Sequence, residues 1–140
     1  MVTEDYVSFE IAKLLKEKGF DSEEVGCHGG FYSERCYHSG YGIITDSGQE
    51  VGIVYDDLRN ADLEYDEYLR PTLQMAIKWL REIYNIHIVL SPNKKMNNQY
   101  SSIIFVDKEG ELHPQPTDFF HGSYKETAEA AIKYCLEKLI

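Results

Sequence analysis

Two cysteines and two histidines fall within twelve residues of one another: Cys27, His28, Cys36 and His38. Thiolate sulfur and imidazole nitrogen are the donors zinc prefers, and four of them complete a tetrahedral site if Gly29-Gly30 lets the chain fold back. The spacing, C-H-x7-C-x-H, departs from the usual knuckle. Adjacent side chains such as Cys27 and His28 also point to opposite faces of an extended strand. Satisfied, half-buried polar side chains are the simpler reading, and no metal ligand is assigned on this pattern.

Three other groups of residues have chemistry in reach. Asp62, Glu64 and Asp66 alternate as the first ligands of a calcium loop do. Such a loop also needs a central Gly and a bidentate Glu at its twelfth position, where this chain has Leu73, so a solvated acidic connection is expected instead. His113 and His121 flank a proline-rich stretch with Asp118, which makes a His–Asp pair available but supplies no nucleophile. No G-x-S-x-G is present, and no Gly-rich phosphate loop follows a strand pattern. Cys135 falls on the inward face of a helical pattern, where a small buried hydrophobe is the default. No residue is therefore given a catalytic or cofactor-binding role, and no cofactor is expected. The last group is aromatic. Tyr32, Tyr37, Tyr41, Tyr65 and Tyr68 cluster in the acidic half of the chain. Exposed, such rings make a protein-binding surface; buried, they cover a sheet. Both readings stay open at this level.

The element that must position these groups is 71–90, PTLQMAIKWLREIYNIHIVL. Leu73, Ala76, Ile77, Leu80, Ile83 and Tyr84 recur at helical spacing, with Met75 and Trp79 widening the apolar stripe. Gln74, Lys78, Arg81 and Asn85 make the opposite face. Thr72 is the expected N-cap, Pro71 suits the first turn, and Asn85 is the expected stop. The period then changes to two: Ile86, Ile88 and Leu90 alternate with His87 and Val89, a strand.

On either side the pattern is regular in places. Residues 8–18 predict a helix capped by Ser8 or Asp5 and stopped by Gly19, with Phe20 folding back on Leu15. Residues 21–40 are hard to assign. Residues 41–46 and 50–55 flank Asp46-Ser47-Gly48-Gln49 and predict a hairpin. Residues 56–68 hold six acids and one Arg and are expected to be an exposed connection. Residues 91–98 predict a loop. Tyr100 to Val106 predicts a strand, and Asp107-Lys108-Glu109-Gly110 a turn. Glu111 to His113 then returns as a short edge strand that Pro114 and Pro116 stop. Ser123-x-x-Glu126 is a capping box opening a last helix, with Tyr124, Ala128, Ala131, Ile132, Cys135, Leu136 and Leu139 inward. The expected fold is α+β: a single domain, residues 1–140, with an antiparallel sheet of about four to five strands. Helices pack on one face, in the order helix-hairpin-helix-hairpin-helix.

Composition narrows the class. A hydrophobic content of 43% with 27% charged residues is that of a globular chain and argues against disorder. No apolar run reaches the ~18 residues needed to span a bilayer. The acidic start MVTEDYV lacks a signal-peptide pattern, and three cysteines without framework spacing suit reduced thiols, so a cytoplasmic location is expected. The formal net charge is −10. Residues 1–70 hold 16 Asp+Glu against 6 Lys+Arg, and residues 71–140 hold 8 of each, so the first half carries the whole excess. A net negative surface opposes nonspecific contact with nucleic acid or anionic lipid, because both are polyanions.

At YVSFEIAKLLKEKGF, PTLQMAIKWLREIYNIHI and SYKETAEAAIKYCLEKLI the chain resembles a group of small proteins encoded by Bacteroides-type bacteria, their phages and prophages. The resemblance implies a phage or mobile-element context and transfers no activity and no site residue. Cys27, His28, Cys36, His38 and the acidic connection lie outside the matching blocks. The function expected is that of a non-enzymatic interaction protein that binds a protein partner through the acidic residues 1–70, in a narrower form by mimicking nucleic acid. A small enzyme with a carboxylate and His cleft, or a zinc-clipped binding module, is the alternative. The oligomeric state is not legible at this level.

Overall fold

The computed structural model describes residues 5–20, 31–33, 43–44, 50–52, 67–95, 97–115 and 121–140. Over these the chain is α+β, with three α-helices and two four-stranded antiparallel sheets rather than one. It divides into two compact units, Met1–Met75 and Ala76–Ile140, and the division falls inside the second helix.

In the first unit, α1 (Phe9–Glu17) starts where the Ser8 side chain accepts the Ile11 N–H, 3.4 Å away. Its far end closes as expected. Gly19 takes φ +88°, its N–H bonds the Lys16 carbonyl at 3.1 Å, and the Phe20 N–H reaches back to the Leu15 carbonyl at 2.9 Å. These two bonds satisfy carbonyls the helix would otherwise leave open, and both Phe20 and Leu15 are buried. The strands β1 (Phe31–Ser33), β2 (Ile43–Ile44), β3 (Glu50–Gly52) and β4 (Glu67–Leu69) form a sheet in the order β2-β3-β1-β4. The hairpin expected from 41–55 is present as β2 on β3, with Ile43 opposite Val51. β4 corrects the expectation for 56–68: its end is a strand, with Tyr68 and Leu69 buried, because Tyr68 pairs directly across from Tyr32 on β1.

The helix α2 (Leu73–Tyr84) begins at Thr72, whose side chain accepts the Met75 N–H at 3.1 Å. Pro71 lies before the cap rather than in the first turn, and its carbonyl accepts the Val7 N–H. Leu73 N–H bonds the Asp5 carbonyl, so residues 5–7 satisfy backbone groups at this helix start. Leu73, Ala76, Ile77, Trp79 and Leu80 are buried and Gln74, Lys78 and Arg81 exposed, as the periodicity requires. Ile83 does not follow the stripe. It sits in the last turn before the reversal at Asn85 (φ +56°) and is 45% exposed.

In the second unit, β5 (Ile86–Pro92), β6 (Tyr100–Lys108), β7 (Glu111–Pro114) and β8 (His121–Gly122) make a second sheet. β5 pairs one side of β6; β7 and β8 pair the other. Lys108 faces Glu111 across a two-residue turn in which Glu109 (φ +55°) and Gly110 (φ +82°) are both left-handed. That is the hairpin geometry whose twist suits flanking strands, and the Gly110 N–H bonds the Asp107 carboxylate at 3.1 Å. α3 (Tyr124–Tyr134) opens at Ser123, whose hydroxyl accepts the Glu126 N–H at 3.2 Å, and widens into a π-helical turn over Cys135–Leu139. It packs on β5 and β6 through Thr127, Ala128, Ala131 and Ile132. Tyr124 and Leu139, expected inward, are half-buried.

Candidate functional site

The unit holding most of the acid is organised around four rings and two cations. Phe9 on α1 meets Tyr32 and Tyr68 edge-on, at centroid separations of 5.8 and 5.6 Å. The quadrupoles of aromatic rings favour this arrangement, worth roughly 0.5–1.5 kcal/mol per pair beyond area burial. The Tyr32 hydroxyl donates to the Val7 carbonyl, which satisfies its polar end inside. The Lys16 ammonium lies 5.2 Å from the Tyr68 ring centre and donates to the Glu67 carbonyl at 2.7 Å. The Arg70 guanidinium stacks 4.0 Å from the Tyr6 ring centre and 5.8 Å from that of Tyr32. Both cations therefore face ring quadrupoles, which attract positive charge.

This cluster decides between the two open readings for two of the five tyrosines. Tyr32 and Tyr68 are 6% and 7% exposed, so they are interior rings that join α1 to β1 and β4 and not part of an outward surface. The physical reason is their register. As direct cross-strand partners they share one face of the sheet, and α1 packs on β4. Tyr37, Tyr41 and Tyr65 lie outside the described residues, as do Cys27, His28, Cys36 and His38 and the calcium candidates Asp62, Glu64 and Asp66. Among the described residues, no group of three or more His, Cys, Asp or Glu side chains is placed to hold a metal ion.

The histidine pair is not brought together. His113 pairs with Val106 and His121 with Ser101, five positions apart along β6. Cross-strand partners share a face and successive residues alternate, so the two imidazoles belong to opposite faces of the sheet. At about 3.3 Å per residue they are also roughly 17 Å apart along it. His113 is exposed, 4.0 Å from the Glu111 carboxylate, and Asp118 lies outside the described residues. Cys135 is buried, as its place on the inward face requires, and burial pushes its thiol up to about 12. A thiol held neutral in this way is a poor nucleophile at neutral pH.

One surface was not anticipated. β5 and β6 are apolar on both faces. Ile86 and Ile104 are buried on the face that also carries Ser102, and Ser102 is buried too. On the other face Val89, directly opposite Ile103, is 44% exposed, and Leu112 on β7 is 55% exposed. The signal was in the sequence. IHIVL against SSIIFV offers aliphatics at both even and odd positions, whereas a sheet with one wet face alternates.

Among the described residues, no helix is long and apolar enough to cross a membrane. No protein-family model, curated protein or solved structure matches the chain.

Proposed function

We propose that the chain is a non-enzymatic interaction protein of phage or mobile-element origin, acting in the bacterial cytoplasm by binding a basic protein surface through residues 1–70. The observation that carries this reading is the charge distribution: 16 acids against 6 bases in residues 1–70 and 8 of each in residues 71–140. Lys16 and Arg70, two of those six bases, are turned onto tyrosine rings and a backbone carbonyl of the same unit. With all six counted, residues 1–70 carry a formal net charge of −10, and their field is negative. Such a field steers a basic partner and speeds encounter, and it repels nucleic acid and anionic lipid.

The test is affinity capture from a bacterial host lysate at low and high salt, alongside a variant carrying Asp56→Asn, Asp57→Asn, Asp62→Asn, Glu64→Gln and Asp66→Asn. A basic protein retained at low salt, released at high salt and absent with the neutralised variant supports the reading. No retained protein at low salt, or equal retention by the variant, refutes it. Displacement of the captured protein by duplex DNA selects the narrower form, in which the acidic surface imitates nucleic acid.

A further inference from the structure

We infer that β5 is the edge through which a second copy of this chain pairs, joining the two second-unit sheets into one continuous antiparallel sheet. Among the described residues β5 has β6 on one side and no strand on the other. The register identifies which of its backbone groups point outward. Asp107 N–H bonds the carbonyl of Asn85, the residue directly opposite, at 2.9 Å, and Asn93 N–H does the same with Gln99 at 2.7 Å. In an antiparallel ladder hydrogen-bonded pairs alternate with non-bonded ones, so His87, Val89 and Ser91 bond inward to β6. Ile86, Ile88 and Leu90 then direct N–H and C=O groups away from β6, and Pro92 directs a carbonyl.

The two edges of this sheet are built differently. The β7 and β8 edge is made of strands of four and two residues and carries Glu111, His113, Pro114 and His121. Short strands, charge and proline are the usual guards against edge-to-edge pairing. β5 is seven residues long, IHIVLSP, with no Lys, Arg, Asp or Glu in it, and proline only at its last position. Its half of the chain, residues 71–140, has balanced charge, 8 acids and 8 bases, so two copies meet there without the repulsion that residues 1–70 would impose.

The strand also complements itself. A two-fold axis through Val89 sets Val89 against Val89 of the second copy, Ile88 against its Leu90, His87 against its Ser91 and Ile86 against its Pro92. The outward groups of Ile88 and Leu90 then exchange both ladder bonds, and Ile86 donates to the Pro92 carbonyl. The central Val89 pair is a non-hydrogen-bonded one, the kind in which side chains approach closest. It extends the exposed Val89–Ile103 pair into an unbroken aliphatic row across both copies. Face is conserved in this register: buried-face residues meet buried-face residues, and exposed meet exposed.

The experiment is sedimentation velocity on the full chain from about 5 to 500 µM, with amide hydrogen exchange read at both ends of that range. A species of about 32 kDa, twice the 16.2 kDa chain, with exchange at Ile88 and Leu90 slowed at least tenfold at the higher concentration, is the expected result. Val89→Lys sets like charges directly opposite at the axis and is expected to raise the dissociation constant at least tenfold. Circular dichroism and urea midpoint, read at a concentration where the wild-type chain is monomeric, should stay unchanged, because the site is on the exposed face and association no longer adds to stability there. A wild-type chain monomeric throughout overturns the inference, including the case where another protein's extended segment occupies this edge. A dimer undisturbed by Val89→Lys, or amides at Ile88 and Leu90 indifferent to concentration, also overturns it.

Discussion

The Thr127 hydroxyl donates to the Tyr100 carbonyl at 3.2 Å, while the hydroxyl of Ser102, two residues along the same strand and equally enclosed, has no hydrogen-bond partner among the described residues. Two buried hydroxyls in one layer should therefore respond oppositely to removal. Thr127→Val keeps the shape and loses a bond, at a cost of about 1 kcal/mol. Ser102→Ala removes a group that left water without compensation, so it should be neutral or stabilising by up to about 1 kcal/mol. Urea denaturation of both variants measures the difference. A loss at Ser102→Ala as large as that at Thr127→Val would mean Ser102 is satisfied in solution.

Arg70 bears on the other unit. Its guanidinium lies 4.0 Å from the Tyr6 ring centre and within reach of Tyr32, and Arg70 is half-buried. Arg70→Ala is expected to cost about 1–2 kcal/mol, from the lost cation–π contact and the lost packing of the side-chain stem. Arg70→Lys should recover only part of this, because an ammonium cannot stack flat on a ring. The same denaturation experiment reads both, and full recovery by Lys would show that charge alone matters there.

Helix ends were the most legible part of this sequence, for a physical reason. Ser8 with Ile11, Thr72 with Met75, Ser123 with Glu126, and the reversals at Gly19 and Asn85 are each decided by a side chain or a left-handed φ within three residues. Local chemistry leaves local marks. β1 and β4 left none. They are three residues each, and Phe31–Ser33 pairs with Glu67–Leu69 across more than thirty intervening residues. The burial of Tyr32 and Tyr68 follows from that pairing, so it could not be read from composition. Two sheets in place of one follow from the same limit, since strand partners are fixed by contacts distant in sequence. The relation of His113 to His121 shows the same limit: they lie eight positions apart in sequence, and only the register places them on opposite faces.

Gly19 isolates a backbone effect. Its φ is +88°, and a Cβ built there meets nothing within 4 Å. Gly19→Ala therefore carries no steric clash with neighbours, only the cost of holding an L-residue in the left-handed region, about 1–2 kcal/mol. Gly19→Asn should cost less, because Asn tolerates that conformation. Thermal or urea midpoints order the three proteins as Gly above Asn above Ala. An Ala variant as stable as wild type would mean the stop at Gly19 relaxes to another geometry.

Cys135 makes stability depend on pH in the alkaline range. Burial raises its thiol from 9.0 to about 12 in the folded chain. Below pH 9 both states keep the proton, and the group adds no dependence on pH. Between pH 9 and about 12 the unfolded chain loses the proton and the folded chain retains it, so unfolding releases a proton and stability falls as pH rises. One group titrating in this way contributes a slope of at most about 1.4 kcal/mol per pH unit. Urea midpoints taken from pH 8 to pH 10.5 should therefore decline for the wild-type chain. They should decline less steeply for Cys135→Ala, which pays a cavity cost at every pH but has no thiol to ionise. The same burial predicts that a thiol reagent modifies Cys135 at neutral pH only as fast as the chain opens, and that urea accelerates the reaction. Parallel pH profiles for the two proteins, or rapid modification of Cys135 in the native chain, would place the thiol at the surface.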